Sequence, residues 1–179
     1  MRNERLKMMI VAALFAAIIS VAAQIMVNVP PVPFTLMTIA VMLTATILGA
    51  KYGTLAVTVY VLMGVIGIPV FAGMKGGFGI VLGPTGGYLL AIIPAALFVG
   101  WYLDTFRYSK TQAIIANIIA VFIILFLGSI WLKVVAELPW AAAFKGGMIP
   151  FVLPDLAKAV VAALIGIIIR TRLVAAKLI

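Results

Sequence analysis

Charge is so scarce along this chain that its few positions divide it into lengths suited to one kind of surroundings. The stretch MMIVAALFAAIISVAAQI, residues 8 to 25, carries no ionisable group, and similar runs recur to the C-terminal end. An apolar run of about 18 or more residues can cross a ~30 Å hydrocarbon core as a helix. Hydrophobic residues make up 66% of the 179 and charged residues 9%, whereas soluble chains are roughly half apolar. With a mean hydropathy of +1.35, the chain reads as an all-α integral membrane protein. No polar stretch is long enough to form a second unit, so a single transmembrane domain over residues 1 to 179 is expected.

Glycine, proline and charge divide the apolar sequence into six expected helices, at about 7 to 27, 35 to 50, 54 to 69, 87 to 105, 111 to 133 and 152 to 170. The second and third are short and are expected to turn back on each other at GAKYG, residues 49 to 53. The segment PVFAGMKGGFGIVLGPTGG, residues 69 to 87, is too broken for an ordinary helix. Arg2, Arg5 and Lys7 before an apolar run also suit a secretory signal, but the run exceeds the usual ~7 to 15 residue signal core. With a cytoplasmic N-terminus, the inner segments hold Arg2, Arg5, Lys7, Lys51, Arg107, Lys110, Arg170, Arg172 and Lys177, and the outer loops hold Lys75, Lys133 and Lys145. Nine against three predicts both termini inside. The net charge of +9 is thus an orientation signal; it is spread over short connections and forms no contiguous basic face for nucleic acid.

The last helix sets two charges in apolar surroundings, at PFVLPDLAK, residues 150 to 158. Pro154 suits a first helical turn, and Asp155 just behind it suits the positive end of the helix dipole. Asp155 and Lys158, three apart, share one helix face and can point into one cavity in the outer part of the bilayer. Such groups cost ~3 kcal/mol each on insertion scales, so they call for a partner or a pathway. One arrangement is a mutually neutralising pair or a lysine reaching for the interface. The other is a polar site for a small solute, with Asp155 accepting from N–H groups and Lys158 meeting an oxygen.

Other features on the same side favour the second arrangement. GMKGG at 73 to 77 and GPTGGY at 83 to 88 form a glycine-rich outer loop, where backbone approaches a ligand closely or simply builds a re-entrant hairpin. VNVPPVPFT at 27 to 35 is a stiff outer loop, and Phe34 and Tyr88 are candidates for apolar walls or for an interfacial belt. On the first helix Ala12, Ala16 and Ser20 are four apart, with Ala13 and Ala17 beside them; small residues at this spacing admit another helix, from within the chain or from a partner.

Much chemistry is excluded. The sequence has no cysteine and no histidine, which removes thiol nucleophiles and the metal sites that need those ligands, so no metal or cofactor is expected. Nothing fits GxxxxGK[ST], so no ATPase motif is present, and Glu4, Asp104 and Glu137 lie near ends or loops, which leaves Asp155 without a second carboxylate.

VPPVPFT, GAKYGTLAVTVYVLMGVIGIPVFAGMKGG, LGPTGGYLLA and PFVLPDLAKAVVAALI, in this order, resemble the BioY family of biotin-binding subunits (S components) of energy-coupling-factor (ECF) vitamin transporters. The resemblance runs from about residue 10 to the end. It implies a six-helix S-component fold in the cytoplasmic membrane of a prokaryote, capturing biotin on the outer side. It also implies partners: a transmembrane coupling protein and two ABC ATPase subunits. Small residues of the first helix contact the coupling protein in this family, which would assign Ala12, Ala13, Ala16 and Ala17 that role. The family's PxxPxDxxK pattern matches Asp155 and Lys158 as biotin-binding residues, and its glycine segments match Gly73, Gly76, Gly77, Gly86, Gly87 and Tyr88. The chain departs from the family's PFTLQT in carrying Met37. A subunit for another small vitamin and a membrane scaffold that binds no solute are the alternatives.

Overall fold

The first helix, α1 (Arg2–Gln24), turns its large side chains away from the rest of the protein. Leu6, Ile10, Leu14, Ile18 and Val21 are exposed, while Ala12, Ala16, Ile19 and Ala23 are buried. A helix on a water-soluble core would bury the large residues. In lipid the outward surface is solvated by hydrocarbon, and small inward residues let helices pack closely. This description comes from a computed structural model covering residues 2–28 and 32–179; Pro30 and Pro31, expected to stiffen the first outer loop, lie outside the described residues, as does the side chain of Arg2.

After α1 come a short antiparallel ribbon of β1 (Met26–Val27) and β2 (Phe34–Thr35), then α2 (Met37–Val65), α3 (Phe78–Leu82), α4 (Gly86–Phe106), α5 (Lys110–Val135), α6 (Trp140–Gly147) and α7 (Ile149–Ala175). Five helical segments are long and apolar enough to cross a membrane, the last running from Trp140 to Ala175. α2 is a folded pair. Gly49, at φ 75° and ψ −172°, breaks it into arms 37–48 and 50–65. In a straight helix Met37 and Tyr60 would stand about 34 Å apart, yet the Tyr60 hydroxyl lies 3.2 Å from the Met37 sulfur. The arms are therefore antiparallel, and Gly53 is packed onto the backbone of Ala45.

The turn expected over residues 49 to 53 is thus a single residue, with helix resuming at Ala50. A clamp from the other helices allows this. Asp104, near the end of α4, accepts from the Ala50 N–H at 3.0 Å and from the Tyr108 hydroxyl. Arg170 of α7 lays its guanidinium 3.5 Å from the Tyr108 ring centre and donates to the Ile47 carbonyl. The first free N–H of the second arm and a last carbonyl of the first are so satisfied by side chains, as helix ends require.

α2 packs against α1, α4 and α7, and α5 against α4 and α7. Inside, Asn117 of α5 donates to Thr46 of α2 at 3.0 Å. α3 and α6 were not expected. α6 fills the connection from α5 to α7, and α3 sits inside the broken glycine-rich segment. α7 starts at Ile149 with Pro150 in its first turn, so Pro154 is interior and Asp155 lies well inside the helix. Pro150 takes the place expected for Pro154, because its missing N–H is unpaired in a first turn anyway.

Candidate functional site

Asp155 and Lys158 project from the first half of α7 toward β2 and the start of α2. Both are buried, at 4% and 8% exposure. Lys158 Nζ donates to Asp155 Oδ1 at 2.8 Å, to the Thr35 carbonyl at 2.6 Å and to Thr38 Oγ1 at 3.1 Å. An ammonium has three N–H bonds, and all three are placed. Its remaining face is covered by the Phe34 ring, whose centre lies 3.6 Å from Nζ. Cation and ring attract, and Phe34 in turn stacks on Phe151, with centroids 6.5 Å apart.

The carboxylate is less occupied. Thr38 Oγ1 lies 3.4 Å from Asp155 Oδ1, the oxygen already engaged by Lys158. Among the described residues no hydrogen bond reaches Oδ2. Both charged residues line a cavity of about 490 Å³, whose walls include Phe34, Met37, Tyr88, Leu89 and Phe151. Small-molecule sites occupy ~300 to 1,000 Å³ and combine apolar walls with a few placed polar groups. This cavity offers one available anionic acceptor, apolar ring surfaces and a saturated ammonium.

Tyr88, at the start of α4, presents its ring to the cavity. Its hydroxyl is directed elsewhere, donating to the Gly147 carbonyl at 2.7 Å with Ser129 Oγ at 3.3 Å. Gly128 and Gly147 leave the slot that admits this side chain, since a Cβ at Gly128 would strike the ring and one at Gly147 the hydroxyl. Met37 forms cavity wall and holds the Tyr60 hydroxyl, so at this position it is a partner of a buried tyrosine as well as a lining residue.

The structure thus brings Asp155, Lys158, Phe34 and Tyr88 to one cavity. It does not bring Gly73, Gly76, Gly77, Gly86 or Gly87 to its wall; in that loop Gly79 and Gly83 line it. Gly76 is backed against the Ile68 carbonyl, Gly86 against Val81 and Gly87 against Trp131, while Gly73 and Gly77 have positive φ in turns. Sequence reasoning missed Thr35 and Thr38. Nothing in the sequence marks them, and only the fold brings them to Lys158. In the small-residue stripe, Ala12 and Ala16 are 1% exposed and packed against other helices of the chain. Ala13 and Ala17 are exposed on the other side of α1.

Known proteins share this arrangement of sequence and fold. A sequence profile described as the BioY family matches residues 1–175. The chain is 38% identical to "Biotin transporter BioY2" of Lactococcus lactis subsp. cremoris, over 93% of this chain and 92% of that protein. It is 42% identical to "Biotin transporter BioY" of Thermotoga maritima, over 90% and 95%. The crystal structure of an S-component for biotin from an ECF-type ABC transporter superposes with a TM-score of 0.83 at 27% identity, covering 96% of this chain and 94% of the other.

Proposed function

The chain belongs to the BioY family, and from that membership we propose that it captures biotin as the substrate-binding subunit of an ATP-driven ECF transporter. The observation that carries this is the buried, lysine-paired Asp155 on a largely apolar cavity, with one carboxylate oxygen that no described residue hydrogen-bonds. Biotin brings a ureido group with two N–H donors, an apolar fused ring and a chain ending in a carboxylate. Asp155 accepts from the ureido N–H groups, Lys158 holds Asp155 in place, and the aromatic walls bury the ring. ATP hydrolysis belongs to two ABC subunits, joined through a transmembrane coupling protein. Ala13 and Ala17, exposed among large lipid-facing residues, let that protein approach α1.

Thermal unfolding of the detergent-purified protein tests the ligand. Biotin at 100 times its dissociation constant is expected to add about 2.7 kcal/mol of apparent stability. A rise with another vitamin and none with biotin would overturn the reading.

In the membrane, the two arms of α2 each cross, giving six crossings with both termini in the cytoplasm of a prokaryotic cell and the cavity opening outward. Because the native chain has no cysteine, single cysteines report sidedness directly. An impermeant maleimide added to intact cells is expected to label Met74→Cys, which is exposed in the glycine-rich loop. It is expected to label Lys177→Cys only after permeabilisation. The reverse pattern would invert the topology.

A further inference from the structure

A ligand with an acidic tail needs a second polar contact, and the Asp155 and Lys158 pair does not supply it. The three N–H bonds of Lys158 go to Thr35, Thr38 and Asp155, and Phe34 covers the rest of its ammonium. The nearby free oxygen belongs to a carboxylate, which repels an anion. Among the described residues that line the cavity, one other cation remains, Lys75. It is exposed where Asp155 is buried, which places it at the mouth.

The backbone that carries Lys75 is anchored. Phe71 and Lys75 exchange both backbone hydrogen bonds, at 2.9 and 3.2 Å, closing a tight turn. Gln24, the last residue of α1, holds this turn from behind. Its amide nitrogen donates to the Val70 and Phe71 carbonyls at 3.1 and 3.2 Å, and its oxygen accepts from the Met74 N–H at 2.9 Å. The Phe71 ring, 1% exposed, fills the space against Tyr60 and Gly64. A lysine on a mobile loop would lose much of its attraction to ordering entropy; here the stem is already fixed.

We propose that Lys75 is the carboxylate-binding residue of the cavity, holding the ligand's acidic tail at the mouth while Asp155 takes its N–H groups inside. This assignment rests on the biotin reading and adds an orientation to it: ureido ring inward, carboxylate outward. It also makes Lys75 a specificity-determining residue, separating the free acid from neutral derivatives of the same ring.

The test compares biotin with biotinamide, which keeps the ring and removes the charge, by calorimetric titration of the purified chain. Wild type is expected to bind biotin roughly fivefold or more tightly than the amide, as for a charge-assisted contact near water. Lys75→Gln is expected to lose that preference by weakening biotin alone, and Lys75→Arg to retain it. An unchanged preference in Lys75→Gln, an equal loss for both ligands, or no preference in wild type would each overturn the assignment while leaving biotin binding standing. Failure of wild type to bind either ligand would overturn the biotin reading itself. The exposed site makes misfolding of the variants easy to detect as a lowered unfolding temperature without ligand.

Discussion

Asp155→Asn is expected to weaken biotin binding by roughly a hundredfold while the chain still inserts and folds. The amide keeps the shape of the carboxylate but replaces one of its two acceptor oxygens with a donor. If the oxygen stays with Lys158, an NH2 group faces the ureido N–H donors. If the amide flips, its NH2 faces the ammonium of Lys158, now 2.8 Å from a carboxylate oxygen. Either way a hydrogen bond to a charged group is lost in a buried place, a loss of ~1.5 to 3 kcal/mol that corresponds to ten- to more than a hundredfold in affinity. A dissociation constant within threefold of wild type, by calorimetry, would remove Asp155 from the site. A second variant separates binding from stability. Adding Lys158→Met to Asp155→Asn removes the unpaired ammonium and is expected to recover part of the unfolding temperature, because an uncompensated buried charge is the costly state. It is not expected to recover affinity. Recovery of both would mean that the pair serves only to hold helices together.

Gly49→Ala is expected to be as damaging to the fold as Asp155→Asn is to the site. With φ at 75° and ψ at −172°, Gly49 occupies backbone space that is open almost only to glycine, and a residue forced there loses ~1 to 3 kcal/mol. The added methyl also points at the Tyr108 hydroxyl and the Asp104 carboxylate, which hold the turn closed. Total loss of several kcal/mol is comparable to the whole stability of a small domain. The measurement is the unfolding temperature in detergent. A shift of less than about 2 °C would show that the turn relaxes freely and that the clamp contributes little.

The helical segments and the polar pair were legible in the sequence for a common reason: each rests on a contrast. A charge among apolar residues is conspicuous, and i to i+3 spacing on a helix settles that Asp155 and Lys158 share a face. Rotational phase was harder to read. α1 has no polar side to mark which residues face inward, so Ala12 and Ala16 could not be told from Ala13 and Ala17, and the structure divides them between interior and surface. The start of α7 was ambiguous because Pro150 and Pro154 both suit a first turn; the choice displaced Asp155 from the helix end to its interior. In the outer loop the glycine count marked a segment that lines the cavity but not which of its glycines do so, because glycine serves backbone approach of any kind. Gly76 and Gly86 admit neighbouring chain, Gly79 leaves open space, and Gly79 and Gly83 lie on the cavity wall. Thr35 and Thr38 carry no contrast at all, and only the fold shows them converging on Lys158.

The ammonium of Lys158 joins α7, where Asp155 sits beside it, to one distant stretch of chain, where Thr35 ends the ribbon and Thr38 opens the first arm of α2. It is a keystone, seated before any guest arrives. Entry therefore requires little rearrangement at the polar end, which favours tight capture. Departure has a different requirement. A displacement of α7 against that stretch leaves the ammonium short of its threonine partners, so a modest external push on the bundle would be felt at the neighbouring carboxylate as a loss of grip.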